Sequence, residues 1–563
     1  MLRKIGAIAL GNVAVLVNAA ATLATLLVVG AVEGGLWVMI AAGVAVLALL
    51  RPVGAVRRAL GRPDATPRPS RFGLGSFAVS RSWGAVLVAV TNPDALGFVV
   101  AGALVLGVLA ETVLGRAEAA WEPAAANAPW AAPARTPRTV HLVAPVSVLT
   151  MVVALVLAAL GTSMVPALGL TSLALAALVG AGVGALLARR DRLQAEQGLR
   201  GGLEEYAPRF VLYWEAGLET TYQISMWLPY LEQIGEPFVV VLRHPRNLEA
   251  VAALTDRPVV VVRAMDGLDD VLVPSLTTAF YVNNSIRNCH FVRFTELTHV
   301  QLNHGDSDKA PSFNPVMRMY DLNFVAGQAA VDRYAANGVT TREDFFRIVG
   351  RPQVADVAPA AARPADAPLT VLYAPTWAGF MADSNYSSLL QGPDIVRELL
   401  RRGTTVVFRP HPHAWRSRSL AAACREIEQL LAADAAATGR AHLFGEVAAQ
   451  QMSVVDCFNA ADAMVSDVSS VVPDFLFSGK PFALVAVGTT IDDFVSANPV
   501  AEGAYVIDEA LTGLGAALDD LLGLDPLRTD RLRLRTAYLG DVERDDYVGL
   551  FLDAAREVVR RER

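Results

Sequence analysis

The sequence predicts an α-helical membrane anchor followed by α/β structure, two doubly wound Rossmann-like domains facing a cleft. Three observations predict it. Before about Leu187 the chain holds long apolar runs without charge. From Phe210 onward short apolar runs alternate with amphipathic stretches, the pattern of a parallel sheet with helices on its faces. An Ala/Pro-rich stretch, Ala355 to Pro368, then interrupts the alternation before it resumes.

Composition supports the division. The 563 residues are 53% hydrophobic and 18% charged, with a mean hydropathy of +0.38. That is too apolar for an ordinary soluble chain. The length allows several domains. A net charge of -7 excludes nucleic-acid binding through bulk electrostatics. Cys289, Cys424 and Cys457 are odd in number and far apart, which argues against a disulfide framework or a zinc site. Such usage fits a reducing, cytosolic location. No cofactor is implied, and nothing in the residue spacing supports a divalent cation.

The first part, 1–190, reads as a multi-span anchor. Ile5 to Val32 lacks charge and exceeds the roughly 20 residues that a spanning helix needs. Gly34 to Leu50 is a second, shorter candidate. Trp83 to Leu114 contains Thr91-Asn92-Pro93-Asp94, a turn signal, so it forms one span or a tight hairpin. Val140 to Leu187 is long enough for two spans, with the turn at Gly161 to Gly169. Trp121 to Pro137 reads as a loop. Arg51, Arg57, Arg58, Arg62, Arg68, Arg71 and Arg81 flank the second and third apolar regions, and Arg189, Arg190 and Arg192 follow the last. The positive-inside rule puts both stretches in the cytoplasm, so four or six spans are expected. A cell-membrane, multi-pass protein with a cytoplasmic second part follows.

In that second part, Phe210 to Trp214, Phe238 to Leu242, Val259 to Val262, Ala279 to Val282 and Leu322 to Ala326 read as buried strands. Thr221 to Gln233 is amphipathic. These fall in a first domain, 205–354. After the linker 355–368, Leu369 to Tyr373, Thr404 to Phe408, Ala463 to Ser466 and Pro481 to Val485 supply strands for a second domain, 369–563, with tail helices. Ligands of such sheets bind beyond the carboxyl ends of strands.

Three strand ends stand out. Val300-Gln301-Leu302 runs into Asn303-His304-Gly305, with Lys309 five residues after His304. Val406-Val407-Phe408 runs into Arg409-Pro410-His411-Pro412, where the prolines fix the backbone. Ala463-Met464-Val465-Ser466 runs into Asp467-Val468-Ser469-Ser470, with Asp474 four residues on. Serine hydroxyls and backbone N–H groups at a helix start can cradle phosphate oxygens. Lys309 and Arg409 can neutralise phosphate charge. A histidine at a strand end can take a proton from an attacking hydroxyl. Phosphoryl transfer requires mainly positioning and charge stabilisation. On residue type alone His304 could equally cap a turn, and His411 could be a rigid structural turn. Ser469 and Ser470 could be only a helix cap, and Asp474 a partner of the helix dipole.

Taken in order, these segments resemble the CDP-glycerol glycerophosphotransferase family from about Tyr213 to Val485. The resemblance rests on His304-Gly305 with Lys309, Leu372-Tyr373-Ala374-Pro375-Thr376-Trp377, and Arg409-Pro410-His411-Pro412. It also rests on Ala461-Asp462 through Ser466-Asp467-Val468-Ser469-Ser470 to Asp474-Phe475 and Lys480-Pro481. Asn303 and Val468 stand where that family more often has tryptophan and tyrosine. The resemblance implies a GT-B fold and transfer of glycerol phosphate from CDP-glycerol to a membrane-bound, lipid-linked acceptor, with release of CMP. It implies His304 as the base and His411 on the donor pyrophosphate. Gly305, Lys309, Arg409, Asp467, Ser469, Ser470 and Asp474 would be the substrate-binding set. A nucleotide-sugar hexosyltransferase of the same fold and a non-catalytic membrane scaffold remain alternatives, since fold does not fix function.

Overall fold

The computed structural model describes residues 78–116, 124–131, 140–217, 220–305, 307–361, 369–379, 385–543 and 546–561. The expected spans Ile5 to Val32 and Gly34 to Leu50, the arginines from Arg51 to Arg71, and the second half of the expected linker, 362–368, lie outside them. The chain divides into two compact units, which meet between Leu199 and Arg200.

The first unit is helical: α1 (Ala78–Thr91), α2 (Ala95–Arg116), α3 (Val140–Ala159) and the start of α4 (Val165–Tyr206). The Trp83 to Leu114 region is a hairpin rather than one span. Pro93 lacks an N–H and disfavours helix at Asn92. Asp94 then starts α2, its Oδ1 accepting from the Gly97 N–H at 2.7 Å. The break between α3 and α4 falls at Gly161, whose φ of 62° lies in the left-handed region. Small residues let the helices close: Ala85, Ala154, Ala158 and Ala167 are buried together with Leu87, Val88 and Leu155. The outer faces are also apolar, with Leu109, Leu173, Val179 and Leu186 all more than half exposed. Among the described residues, α4 is the helix long and apolar enough to cross a membrane; α2 and α3 contain shorter apolar stretches.

Arg81 departs from its expected role as a flanking surface charge. It is 2% exposed. Its guanidinium makes a two-pronged contact with Glu111 at 2.6 and 2.9 Å and reaches Ser147 Oγ at 2.5 Å. A guanidinium in apolar surroundings must find a carboxylate, and the hairpin supplies one across the helix pair.

The second unit is α/β. Its first sheet contains β1 (Phe210–Trp214), β2 (Phe238–Leu242), β3 (Val259–Val261), β4 (Thr278–Tyr281), β5 (Thr298–Gln301), β6 (Leu322–Val325) and β7 (Phe346–Ile348). They run in the order β3-β2-β1-β4-β5-β6-β7, every pair parallel. The second sheet contains β8 (Thr370–Tyr373), β9 (Thr405–Phe408), β10 (Ala463–Ser466), β11 (Phe482–Ala486) and β12 (Tyr505–Asp508). Its order is β9-β8-β10-β11-β12, again parallel. The central strands are continuous apolar runs because both faces are covered. Two edge strands escape sequence detection. β7 is only partly buried, and β12 alternates buried and half-buried positions; an edge needs no continuous apolar run.

The C-terminal helix Tyr547–Arg560 belongs by sequence order to the second sheet but packs on the first. The Thr277 and Thr278 hydroxyls donate to the carbonyls of Val559 and Val558 at 2.6 and 3.0 Å. They satisfy groups that a helix end leaves unpaired. Phe551 lies 5.1 Å from the Trp227 ring, and Arg556 donates to the Gln233 carbonyl at 2.8 Å. The chain therefore crosses between the sheets twice, once through 349–361 onward and once on its return. The described beginning of the expected linker is fastened to the second sheet's helices: Ala358 N–H donates to Asn459 Oδ1 and Ala360 N–H to the Ser478 carbonyl, both at 2.7 Å.

Candidate active site

The first sheet delivers His304 just beyond β5. Asn303 adopts φ 59°, a left-handed conformation that asparagine tolerates better than most residues. Its amide donates to Asn323 Oδ1 at 2.8 Å and to the Phe324 carbonyl at 3.3 Å. Trp227 Nε1 donates to the Asn303 carbonyl at 2.5 Å. The turn is thus held on both sides, and it presents a half-buried His304. The Nδ1 of His304 lies 3.0 Å from the Val282 carbonyl. A carbonyl only accepts, so Nδ1 carries the proton and Nε2 keeps its lone pair. Burial pushes the imidazole's pKa down to about 4, with the Arg351 charge adding to the effect and the Val282 bond opposing it. His304 is a neutral base at ordinary pH.

The second sheet delivers His411 beyond β9. The His411 N–H donates to the Pro375 carbonyl at 3.0 Å, and its ring accepts at Nδ1 from the His413 N–H at 3.1 Å. In the neutral ring the proton is therefore on Nε2. Burial pushes this pKa down to about 3, helped by His413, Lys309, Arg416 and His304. Trp377 stacks on the ring at 6.0 Å and 29°. The two histidines meet at Tyr222: its ring lies 6.2 Å from His304 and 6.4 Å from His411. One ring presents an acceptor and the other a donor around a shared aromatic neighbour.

The remaining expected site residues divide into two groups. Gly305 and Ser470 are brought together: a Cβ on Gly305 would sit 2.8 Å from Ser470 Cβ. Only glycine allows the His304 turn to approach the serine loop this closely. Lys309 crosses the same way, its Nζ 3.2 Å from Thr376 Oγ1 and 5.3 Å from the centre of the Tyr386 ring. Burial lowers its pKa while the Asp467 carboxylate raises it. Ser469 is buried and lines a small recess with Ser307, Asp467, Val468, Phe494 and Asn498.

The other three are held in structural contacts. Asp467 is fully buried and accepts from Thr376 N–H at 2.9 Å, and from Ser388 N–H and Oγ, both at 2.9 Å. It fastens the loop after β8 that carries Trp377; burial raises its pKa and those bonds oppose the rise. Asp474 makes a two-pronged pair with Arg351 at 2.7 and 3.0 Å. Arg409 donates to the carbonyls of Ala448 and Met452, the latter at 2.8 Å. Its guanidinium closes the turn 447–452 instead of joining the histidine cluster. In each case a charge next to a motif is used to satisfy buried polar groups nearby.

Sequence reasoning missed Tyr222, Arg351 and Arg416. Tyr222 lies in a stretch read only as an amphipathic helix, and Arg351 precedes the linker far from any motif. Arg416 follows the His411 turn, and its charge acts on both His411 and Tyr222. That spacing, five residues after a motif histidine, was the available signal. His299 is buried between the Tyr281 hydroxyl and the Phe294 carbonyl, both at 2.9 Å.

Residues 342–489 match the model of the family described as CDP-glycerol:poly(glycerophosphate) glycerophosphotransferase. This segment belongs to the CDP-glycerol glycerophosphotransferase family. It contains Trp377, Arg409, His411 and the Asp467 to Asp474 loop; His304 lies outside it. The chain is accordingly an enzyme of the glycerophosphotransferase type. No curated protein matches the chain in sequence. Among solved structures, the wall teichoic acid polymerase TagF is 12% identical over 67% of this chain and 95% of its own, with a TM-score of 0.38. A form of TagF soaked with CDPG is 13% identical over 65% and 93%, at 0.41. A putative UDP-N-acetylglucosamine 2-epimerase from Listeria monocytogenes is 12% identical over 63% and 98%, at 0.43.

Proposed function

We propose that this glycerophosphotransferase-family enzyme moves glycerol phosphate, or a similar polyol phosphate, from CDP-glycerol or a similar CDP-polyol to a hydroxyl of a lipid-linked acceptor. CMP is released, and the product is a teichoic-acid-like polymer. The observation that carries this reading is the opposed pair of imidazoles around Tyr222. His304 Nε2 takes the proton of the acceptor hydroxyl as its oxygen forms a bond to the phosphorus that bears the polyol. The bond from that phosphorus to the CMP oxygen breaks. His411 Nε2–H donates to the phosphate oxygens, and Lys309 and Arg416 supply positive charge beside it. The donor is assigned to the serine loop of Ser469 and Ser470, which faces Gly305. In this reading 205–354 is the acceptor-side domain and 369–563 the CDP-donor domain of a GT-B arrangement, joined by 355–368.

The apolar outer faces of α2 and α4 support membrane attachment. With the arginine flanks, they support four or six spans across 1–190 and a cytoplasmic enzyme. Purified protein given radiolabelled CDP-glycerol, CDP-ribitol and a UDP-sugar, with an acceptor lipid, should release CMP from a CDP-polyol. Release of UDP alone would assign the chain to hexosyl transfer, and release of neither would leave the transferase reading without support.

A further inference from the structure

We infer that Arg351 is a positioning residue for the transfer: through Asp474 it fixes how closely the serine loop after β10 approaches the His304 turn after β5, and it sets its own positive charge beside the His304 ring. The inference rests on the transfer reading above and adds to it the device that holds the two halves of the site together. Arg351 lies on the crossover from the first sheet to the second, and Asp474 lies on the helix Val471–Leu476 that follows the serine loop. Their contact is two-pronged, at 2.7 and 3.0 Å, and the two side chains are 6% and 15% exposed. Asp474 follows Ser470 by about one helical turn, so the two share a face. Holding Asp474 therefore holds Ser470, and Ser470 already meets Gly305 so closely that a Cβ on that glycine would sit 2.8 Å from Ser470 Cβ.

The crossover that carries Arg351 is fastened in turn to the segment that steadies His304. Gly350 adopts φ 69°, and a Cβ there would sit 2.7 Å from the Tyr547 ring, so the crossover is pressed against the C-terminal helix. The Tyr230 hydroxyl donates to the Pro352 carbonyl at 3.0 Å, and Gln353 Nε2 donates to the Met226 carbonyl at 3.2 Å. Between Met226 and Tyr230 lies Trp227, whose Nε1 donates to the carbonyl of Asn303, the residue before His304, at 2.5 Å. The contacts form a closed circuit: serine loop, Asp474, Arg351, residues 226–230, Asn303, His304, Gly305 and back to Ser470. A circuit of this kind within a close-packed interior resists sliding, because one contact cannot shift without straining the next. The charge acts as well. The Arg351 guanidinium disfavours protonation of His304, in the same direction as burial. Tyr222 faces the same ring from its own sheet and His411 from the second, with Lys309 and Arg416 acting on His411. A guanidinium keeps its charge throughout the working pH range, so its effect on the base is constant.

The test compares the unaltered full chain in detergent with two variants. Arg351→Gln/Asp474→Asn removes both charges together, so no unpaired buried charge is left to unfold the protein. Arg351→Lys keeps the charge and loses the planar fork. Three quantities are read on folded protein: kcat, CDP-glycerol affinity by calorimetry, and the His304 titration by NMR with labelled histidine. In the double variant kcat should fall roughly 10- to 10²-fold, the cost of a displacement near 1 Å at the reacting groups. CDP-glycerol affinity should be unchanged, since the serine loop keeps its own residues, and the His304 titration should move up from about 4. Arg351→Lys should also lose kcat, with the titration left where it was. A contact that only stabilises the fold predicts a lower Tm with kcat and titration unmoved, and that result would overturn the inference. A loss of donor affinity matching the loss of kcat would overturn it too, by placing Asp474 in the donor site. An unaltered protein that turns over no CDP-polyol strikes the transfer reading instead. The titration then decides alone, and identical curves in the three proteins would overturn the placement of Arg351.

Discussion

The His304 and His411 turns are built on one plan and reach opposite ends. Each follows a parallel strand, β5 inside its sheet and β9 at the edge of the other; each ring is neutral, and each lies beside Tyr222. What differs is the partner of Nδ1. At His304 it is a carbonyl, which forces the proton onto Nδ1 and frees a lone pair at Nε2. At His411 it is a backbone N–H, which forces the reverse. One residue type thereby presents an acceptor nitrogen in one sheet and a donor nitrogen in the other. The role of a histidine is written in the bond that its far nitrogen makes, and that bond is absent from any sequence motif.

The comparison is most exposed at His304. His304→Ala should lower turnover by roughly 10²- to 10⁴-fold, the range for a positioned base, with CDP-glycerol affinity little changed by calorimetry. Loss of donor binding with normal turnover on saturating donor would reverse the two roles.

Next in size is the support beneath the pair. Asp467→Asn replaces an acceptor of several buried bonds with a group that must point a donor at donors. Unfolding free energy should fall by about 1–3 kcal/mol, read by chemical denaturation. An unchanged midpoint would show that the loop after β8 is held some other way. His411→Ala removes a hydrogen bond to an anionic phosphate, so donor binding should weaken by ~1.5–3 kcal/mol. Unaltered CDP-glycerol affinity in that variant would remove His411 from the donor site.

The smallest effect is in pH. Both rings titrate below the ordinary histidine value of 6.5, at about 4 and about 3. Between those values and 6.5 the unfolded chain binds more protons than the folded one, so stability rises with pH across the window. This contribution is complete above 6.5 and is lost as pH falls toward 3. His304→Asn should flatten the dependence of Tm on pH between 4 and 6.5. The acid limb of kcat/KM should lie near 4 in the unaltered enzyme; a limb near 6.5 would mean that the base is another group.

Most of the α/β framework was legible because buried parallel strands are continuous apolar runs, as in Phe210 to Trp214 and Phe238 to Leu242. Turn chemistry was legible too: Asn92-Pro93-Asp94 marks the α1–α2 hairpin, and Pro410-His411-Pro412 marks the rigid turn. Edge strand β7 and the placement of the C-terminal helix were not, since an amphipathic helix shows that it has a buried face without naming the sheet it covers.

By itself the sequence determined most of the elements, the strand ends that carry polar motifs, and the family of the segment 342–489. These depend on local pattern, which survives in one dimension. Tertiary structure decided which charged residues remain for substrate. Asp474 is paired with Arg351, Arg409 is engaged by the carbonyls of Ala448 and Met452, and Arg81 is paired with Glu111. A buried charge must be satisfied by whatever lies nearest in space. Those partners are 123, 39 and 30 residues away along the chain, at separations that no motif records.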